Sequence, residues 1–113
     1  MTEPSGGAGA PEERRQYERV PARIQVRFAH PAHAARAFRA YSLNFSVGGL
    51  CLKTQRTYAV GDPLTLELEV GGHDFKLMGS VAWVRPGAIG VRFEDVSEGD
   101  RERLAQIVET FKG

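Results

Sequence analysis

The clearest pattern in the sequence is an alternation of apolar and polar residues, which is typical of half-buried β-strands. It begins near residue 23, where the apolar positions are Ile24, Val26 and Phe28. It is most regular over residues 64–70, where every second residue is apolar and the intervening residues are Thr or Glu. Each of these two segments is therefore predicted to be a strand with one face in the core.

Further strands are separated by short turn signals. Residues 36–45 alternate less cleanly, and we expect Leu43 and Phe45 to share a face while Asn44 points away. Residues 75–83 are predicted to form a long returning strand after a Gly71-Gly72 hairpin, with a bend or bulge at Gly79. With residues 50–52 and 89–93, about six strands follow one another without an intervening helix, which predicts an antiparallel barrel or sandwich.

The chain ends in a different periodicity. Ser97, with Asp100 three residues later, has the form of a helix capping box. Four apolar residues then fall on one helical stripe: Leu104, Ile107, Val108 and Phe111. We predict a helix over residues 98–112 that covers one end of the barrel or is shared with another subunit.

Length and composition limit the class of protein. With 113 residues we expect one domain over residues 14–113, preceded by a flexible tail at 1–13 that is rich in Gly, Pro, Ala and Glu. A net charge of +1 gives no overall attraction to nucleic acids or membranes. The single cysteine, Cys51, and the absence of a long apolar run favour a cytoplasmic protein.

Two polar segments are not needed to build a barrel. The first, ERRQYER at residues 13–19, holds Arg14, Arg15 and Arg19 just before the first strand. Taken alone, it would be a solvated linker whose acidic neighbours partly cancel its charge. The second, NFSVGG at residues 44–49, is predicted to be a turn in which Gly48 and Gly49 permit positive φ and a close backbone approach.

Clustered arginines are suited to binding phosphate groups and guanine bases. The planar guanidinium fork binds phosphate oxygens, and it reads the O6 and N7 edge of guanine with two parallel bonds worth about 1–3 kcal/mol. It also stacks on purine rings. A ligand that carries both guanine and phosphate suits such a cluster.

In these two segments the chain resembles the PilZ domain family. Residues 15–19 fit the family's RxxxR motif, residues 44–49 fit its (D/N)xSxxG motif, and residues 89–97 look like its closing strand before a C-terminal helix. The resemblance implies a six-stranded antiparallel PilZ-type β-barrel that acts as a bacterial receptor for cyclic di-GMP. It implies the following ligand-binding residues: Arg15 and Arg19 for phosphate and guanine edges, Asn44 for the second guanine, Ser46 for base or phosphate, and Gly49 for the turn.

The resemblance also implies a stoichiometry and a mode of action. An arginine directly before the RxxxR motif, here Arg14, accompanies binding of two stacked ligand molecules in the family, so we expect two cyclic di-GMP per chain. Asn44 replaces the commoner aspartate, and a neutral amide accepts less strongly from guanine. We expect the ligand to draw a mobile N-terminal segment, up to Arg19, over the barrel. A separate effector in motility or biofilm control would then recognise the ordered surface.

The sequence leaves other interpretations open. Trp83 is expected to pack in the core, with a ligand contact as the minority view. The three histidines lack the spacing of metal ligands, so we assign no metal. We expect no cofactor. Because no nucleophile can be paired with a base, we do not expect an enzyme. The alternatives are a barrel that binds single-stranded nucleic acid and a ligand-free interaction module of the same fold.

Overall fold

The structure is a computed structural model that describes residues 19–33 and 35–112. Six strands form one closed antiparallel barrel in the order β1-β2-β3-β6-β5-β4, with β4 pairing back to β1. The strands are β1 (Gln25–Ala29), β2 (Phe38–Phe45), β3 (Gly49–Lys53), β4 (Pro63–Val70), β5 (His73–Arg85) and β6 (Ala88–Glu94). A 3-10 turn (Pro31–His33) lies between β1 and β2, and the helix α1 (Glu98–Lys112) follows β6. The predicted six-stranded barrel with a C-terminal helix is confirmed; the predicted tail at 1–13, Arg14 and Arg15 lie outside the described residues.

The interior of the barrel is filled by the residues that the alternation assigned to it. Val26 and Phe28 of β1 are almost fully buried, and so are the apolar positions of β4 that face them across the closing strand pair. The same core continues into α1, whose Leu104, Ile107 and Val108 are buried with the strands. The helix therefore closes one end of the barrel within the chain itself.

The hairpin turn and the start of the helix show the predicted local chemistry, while one residue near the end of the helix does not. Gly71 and Gly72 have φ of +62° and +80°, as a two-residue hairpin with both central residues at positive φ requires. The Ser97 hydroxyl accepts a hydrogen bond from the Asp100 N–H at 3.1 Å and so caps α1. Phe111, which we expected on the buried stripe, is instead 41% exposed.

A β-bulge at Leu43 interrupts the alternation of β2. Ser42 pairs with Leu52 and Asn44 pairs with Cys51, so Leu43 is the extra residue between two regular pairs. Our expectation that Leu43 and Phe45 share a face is therefore wrong, because Leu43 is 48% exposed while Phe45 is completely buried. The bulge has a useful result: Ser42 and Phe45 both face inward, and Asn44 faces outward.

A second bulge interrupts β5. The pairing with β6 shifts between Val81 and Trp83, which makes Ala82 the extra residue, whereas Gly79 keeps a regular partner in Phe93. The bulge predicted at Gly79 thus lies three residues later. Gly79 is instead a point of close packing, since a Cβ built on it would lie 2.8 Å from the Arg92 carbonyl oxygen.

The segment that enters the barrel, residues 20–24, is attached to β2 before β1 begins. Val20 and Phe45 exchange two backbone hydrogen bonds of 2.9 Å. Deeper in the barrel, the buried Ser42 hydroxyl accepts from the Ile24 N–H at 2.9 Å and donates to the Ala22 carbonyl. No motif or periodicity in the sequence marks Ser42, yet its side chain pairs backbone groups of residues 20–24 that lie away from water.

We predict that Ser42→Ala lowers the free energy of unfolding by about 1–3 kcal/mol, because the buried Ile24 N–H and Ala22 carbonyl would lose their shared partner. Urea denaturation measures this loss. Ser80→Ala is the matched control: Ser80 also lies in a strand, but its hydroxyl bonds an exposed carboxylate, that of Glu94. Equal effects of the two substitutions would contradict the structural role of Ser42.

Candidate functional site

Arg19, the last residue of the first polar segment, meets the second polar segment at the start of the barrel. Arg19 Nη1 donates a hydrogen bond of 3.0 Å to Asn44 Oδ1. The backbone bridge between Val20 and Phe45, each the next residue along the chain, holds the two side chains together. Arg19 thus contacts Asn44 directly, and the mobility expected of the chain up to Arg19 stays a prediction.

Ser46 organises the turn between β2 and β3. Its Oγ accepts from the N–H groups of Gly48 (3.1 Å) and Gly49 (3.2 Å), and it donates to the Gly49 carbonyl at 3.2 Å. The side chain is 3% exposed, and these three bonds use the full capacity of a hydroxyl. The structure thus gives Ser46 a role in shaping the turn, while the direct ligand contact implied by its motif stays a prediction.

Of the two reasons predicted for glycine at position 49, the structure supports one. Among the described residues, positive φ occurs at Asp95 and at four glycines, but not at Gly48 or Gly49. A Cβ on Gly49 would instead overlap the backbone carbonyl of Val91, on the adjacent strand β6. The predicted close backbone approach is confirmed, and the predicted positive φ is wrong.

A row of outward-facing residues runs across four strands from Asn44. Asn44 pairs with Cys51, Cys51 with Gly90, and Gly90 with Trp83, and residues directly opposite each other in a sheet share a face. We call these four residues the outer row. The outer row crosses three gaps between neighbouring strands, each about 4.8 Å wide, so it is about 14 Å long.

Trp83 forms the far end of the outer row. The bulge at Ala82 turns it out of the barrel, so the expected place in the core is wrong, and the side chain is half-buried on the outer surface. Its indole lies over Gly90, where any Cβ would overlap the ring. The Arg85 guanidinium lies 4.6 Å from the centre of the indole, in cation–π range.

Positive charge flanks both ends of the outer row. The Cys51 thiol, 4% exposed, lies between them: burial raises its pKa, while the positive charges of Arg19 and Arg85 act in the opposite direction. Both arginines therefore lie within electrostatic reach of this thiol, Arg19 through its contact with Asn44 and Arg85 through its contact with Trp83. A raised pKa keeps the thiol neutral at pH 7, so Cys51 has the character of a small packing residue rather than a nucleophile.

This face can hold a flat, anionic ligand. Arg19 and Arg85 offer guanidinium forks, Asn44 offers an amide, and Trp83 offers an aromatic surface. Arg85 and Gly90 were missed in the sequence, because the register shift that brings them to the row is invisible there. Within the described residues, no three His, Cys, Asp or Glu side chains are grouped as metal ligands, and no helix is both long and apolar enough to span a membrane.

The comparison with protein families decides which fold family this barrel represents. The family model described as PilZ domain matches residues 13–110, nearly the whole chain. The chain belongs to the PilZ domain family. This PilZ domain has the barrel and the closing helix that the resemblance implied. A search of curated protein sequences found no match.

Solved structures share the fold at low sequence identity. The Bacillus subtilis inhibitor of motility MotI/DgrA superposes with a TM-score of 0.75 at 20% identity, over 88% of this chain and 51% of that one. This PilZ domain therefore spans about half the length of MotI. The PilZ domain of Escherichia coli YcgR with c-di-GMP gives 0.70 at 19% identity, covering 88% and 92%. The PilZ domain of CeSA, from a cellulose-synthesizing bacterium, gives 0.70 at 15%, covering 85% and 99%.

We predict that Gly90→Val displaces the Trp83 indole from the barrel surface, because the valine side chain would occupy the space where the indole lies. Trp83 is the only tryptophan, so its emission should shift to longer wavelength and become more accessible to acrylamide. Gly99→Ala is the control, because a Cβ there meets no atom within 4 Å. Unchanged emission in a folded Gly90→Val protein would contradict the assigned position of the indole.

Proposed function

We propose that this PilZ domain is a receptor for cyclic di-GMP, which binds on the barrel face formed by Arg19 and the outer row. Family membership and the YcgR PilZ domain with c-di-GMP support the choice of ligand. The 3.0 Å contact between Arg19 and Asn44 carries the proposal, because it joins one arginine of the RxxxR motif to the first residue of NxSxxG. Arg15 would complete the arginine pair.

The contact also suggests how the ligand is read. Because Asn44 Oδ1 accepts from Arg19, its amide N–H groups are the donors that face away from Arg19, and they suit the O6 and N7 acceptors of guanine. Arg19 keeps further N–H groups for phosphate. Ser46 and Gly49 would act mainly by holding the turn, and Trp83 with Arg85 would offer a stacking surface at the other end of the row.

Signalling would follow from the ligand's negative charge drawing Arg14 and Arg15 to the barrel face beside Arg19. Because Arg19 already contacts Asn44, fewer residues would have to be ordered than in a segment that is mobile up to residue 19, which lowers the cost of binding. The surface formed by the recruited segment would be recognised by an effector protein.

We predict that Arg19→Ala weakens cyclic di-GMP binding about 10- to 100-fold, the loss expected for one or two charge-assisted hydrogen bonds. Isothermal titration calorimetry measures it. Arg39→Ala is the matched control, since Arg39 is an exposed arginine of the same strand as Asn44 and about 17 Å away along it. Equal affinities in the two variants would overturn the proposed site. So would full displacement of the ligand by a single-stranded oligonucleotide, which the nucleic-acid alternative requires.

The same titration counts ligand molecules. We predict two cyclic di-GMP per chain at saturation, and one per chain for Arg14→Ala, because Arg14 would stack on and neutralise the second molecule. A single ligand on the unaltered protein would contradict the role of Arg14 without affecting that of Arg19.

A further inference from the structure

A second candidate site lies at the opposite end of the barrel from the NxSxxG turn. A cavity of about 730 Å³ opens between the β1–β2 loop and the β3–β4 loop, in the size range of small-molecule sites. We call it the loop cavity; its polar lining includes His30, His33, Arg36, Gln55, Arg56 and Tyr58. Phe38, the first residue of β2, contributes an aromatic wall.

The lining of the loop cavity is rich in donors and contains no carboxylate. Arg36 forms no ion pair in the described part of the chain, and its backbone N–H fixes the loop through a 2.9 Å bond to the His33 carbonyl. Asp62 raises the pKa of Tyr58 and so brings a negative charge near the cavity, but it is not part of the lining, and its Oδ2 accepts from the Ala59 N–H at 2.9 Å. Two guanidinium groups therefore line a cavity whose own lining holds no counter-charge.

Three of the donor groups have a defined orientation or protonation state. The Arg56 guanidinium lies 3.5 Å from the centre of the Phe38 ring, which holds its planar fork in one orientation. His30 Nδ1 accepts from the Ala32 N–H at 3.0 Å, so in the neutral ring the proton is on Nε2, which is a donor. Burial raises the pKa of Tyr58 against the opposing effect of Arg56, so the phenol keeps its proton as well.

We propose that the loop cavity binds a small molecule that carries a phosphate monoester. A phosphate monoester presents three oxygens and nearly two negative charges, which matches guanidinium forks and additional neutral donors. The organic part of the ligand would occupy the space beside Phe38 and the hydrophobic edge of Tyr58, whose ring packs against Phe28 at 6.2 Å between centres. Phe38 and Asn44 are six residues apart on β2, about 20 Å, so the two sites can be filled independently.

The probe for this site is ribose 5-phosphate, titrated into the full chain labelled with ¹⁵N. We expect saturable shifts of backbone amides in the β1–β2 and β3–β4 loops, at His30, Ala32 and His33 and at residues 55–58. Arg36→Ala should weaken binding about tenfold or more, as the loss of a charge-assisted bond implies. Arg56→Lys, which keeps the charge but loses the planar fork, should also weaken it, and Arg39→Ala should not.

The outcomes separate a built site from general attraction. Equal shifts with acetate at the same ionic strength, unchanged affinity in Arg36→Ala, or shifts that appear at residues 44–49 instead would each overturn the proposal. Thermal melting confirms that each variant is folded. Cyclic di-GMP affinity should be the same in Arg36→Ala as in the unaltered protein, so this proposal and the proposed receptor function can fail separately.

Discussion

The attachment of residues 20–24 to β2 is the constraint on which the candidate site depends. A barrel of six strands can close without this segment, since β1 begins at Gln25. The bridge between Val20 and Phe45, and the buried Ser42 hydroxyl beside it, fix the direction in which the chain enters. Arg19 is the residue directly before that bridge. The backbone pairing therefore brings Arg19 close to Asn44, and the side chain has to span only the remaining distance.

Two β-bulges decide which side chains face the proposed ligand. If Leu43 took part in a regular alternation instead of forming a bulge, Asn44 would share the inward face of Ser42 and Phe45 would face outward. If Ala82 did the same, Trp83 would follow Val81 into the core. Bulges commonly re-aim side chains next to functional sites, and here both act on the outer row. The barrel and its binding face are thus built by the same strands with two local changes of register.

These bulges also mark the limit of what could be predicted from the sequence. The strands, their order along the chain, the helix and most of the core follow from periodicity, because each buried face repeats every second or every third to fourth residue. A single inserted residue leaves composition and spacing nearly unchanged, so Leu43 and Trp83 were both assigned to the wrong face. The motifs predicted that Arg19 and Asn44 act together, while Ser42, Arg85 and Gly90 depend on pairings between strands that are distant in sequence.

Glycine shows the same limit in another form. Gly71 and Gly72 were predicted from turn chemistry, and they have the positive φ that the turn demands. Gly49 and Gly90 serve a neighbouring strand or ring rather than their own backbone angles, since a Cβ would overlap the Val91 carbonyl in one case and the Trp83 indole in the other. Local sequence identifies the first kind. For the second kind, it predicted a close approach at Gly49 without naming the neighbour, and it gave no indication at Gly90.

The central claim is that Arg19 and Asn44 act on cyclic di-GMP as one unit, and a double-mutant cycle tests it most directly. Calorimetric affinities would be compared for the unaltered protein, Arg19→Ala, Asn44→Ala and the double variant. Groups in contact typically show interaction energies of about 0.5–3 kcal/mol, so the double variant should bind only slightly more weakly than the weaker single variant. Strictly additive losses, or no loss in either single variant, would contradict the account.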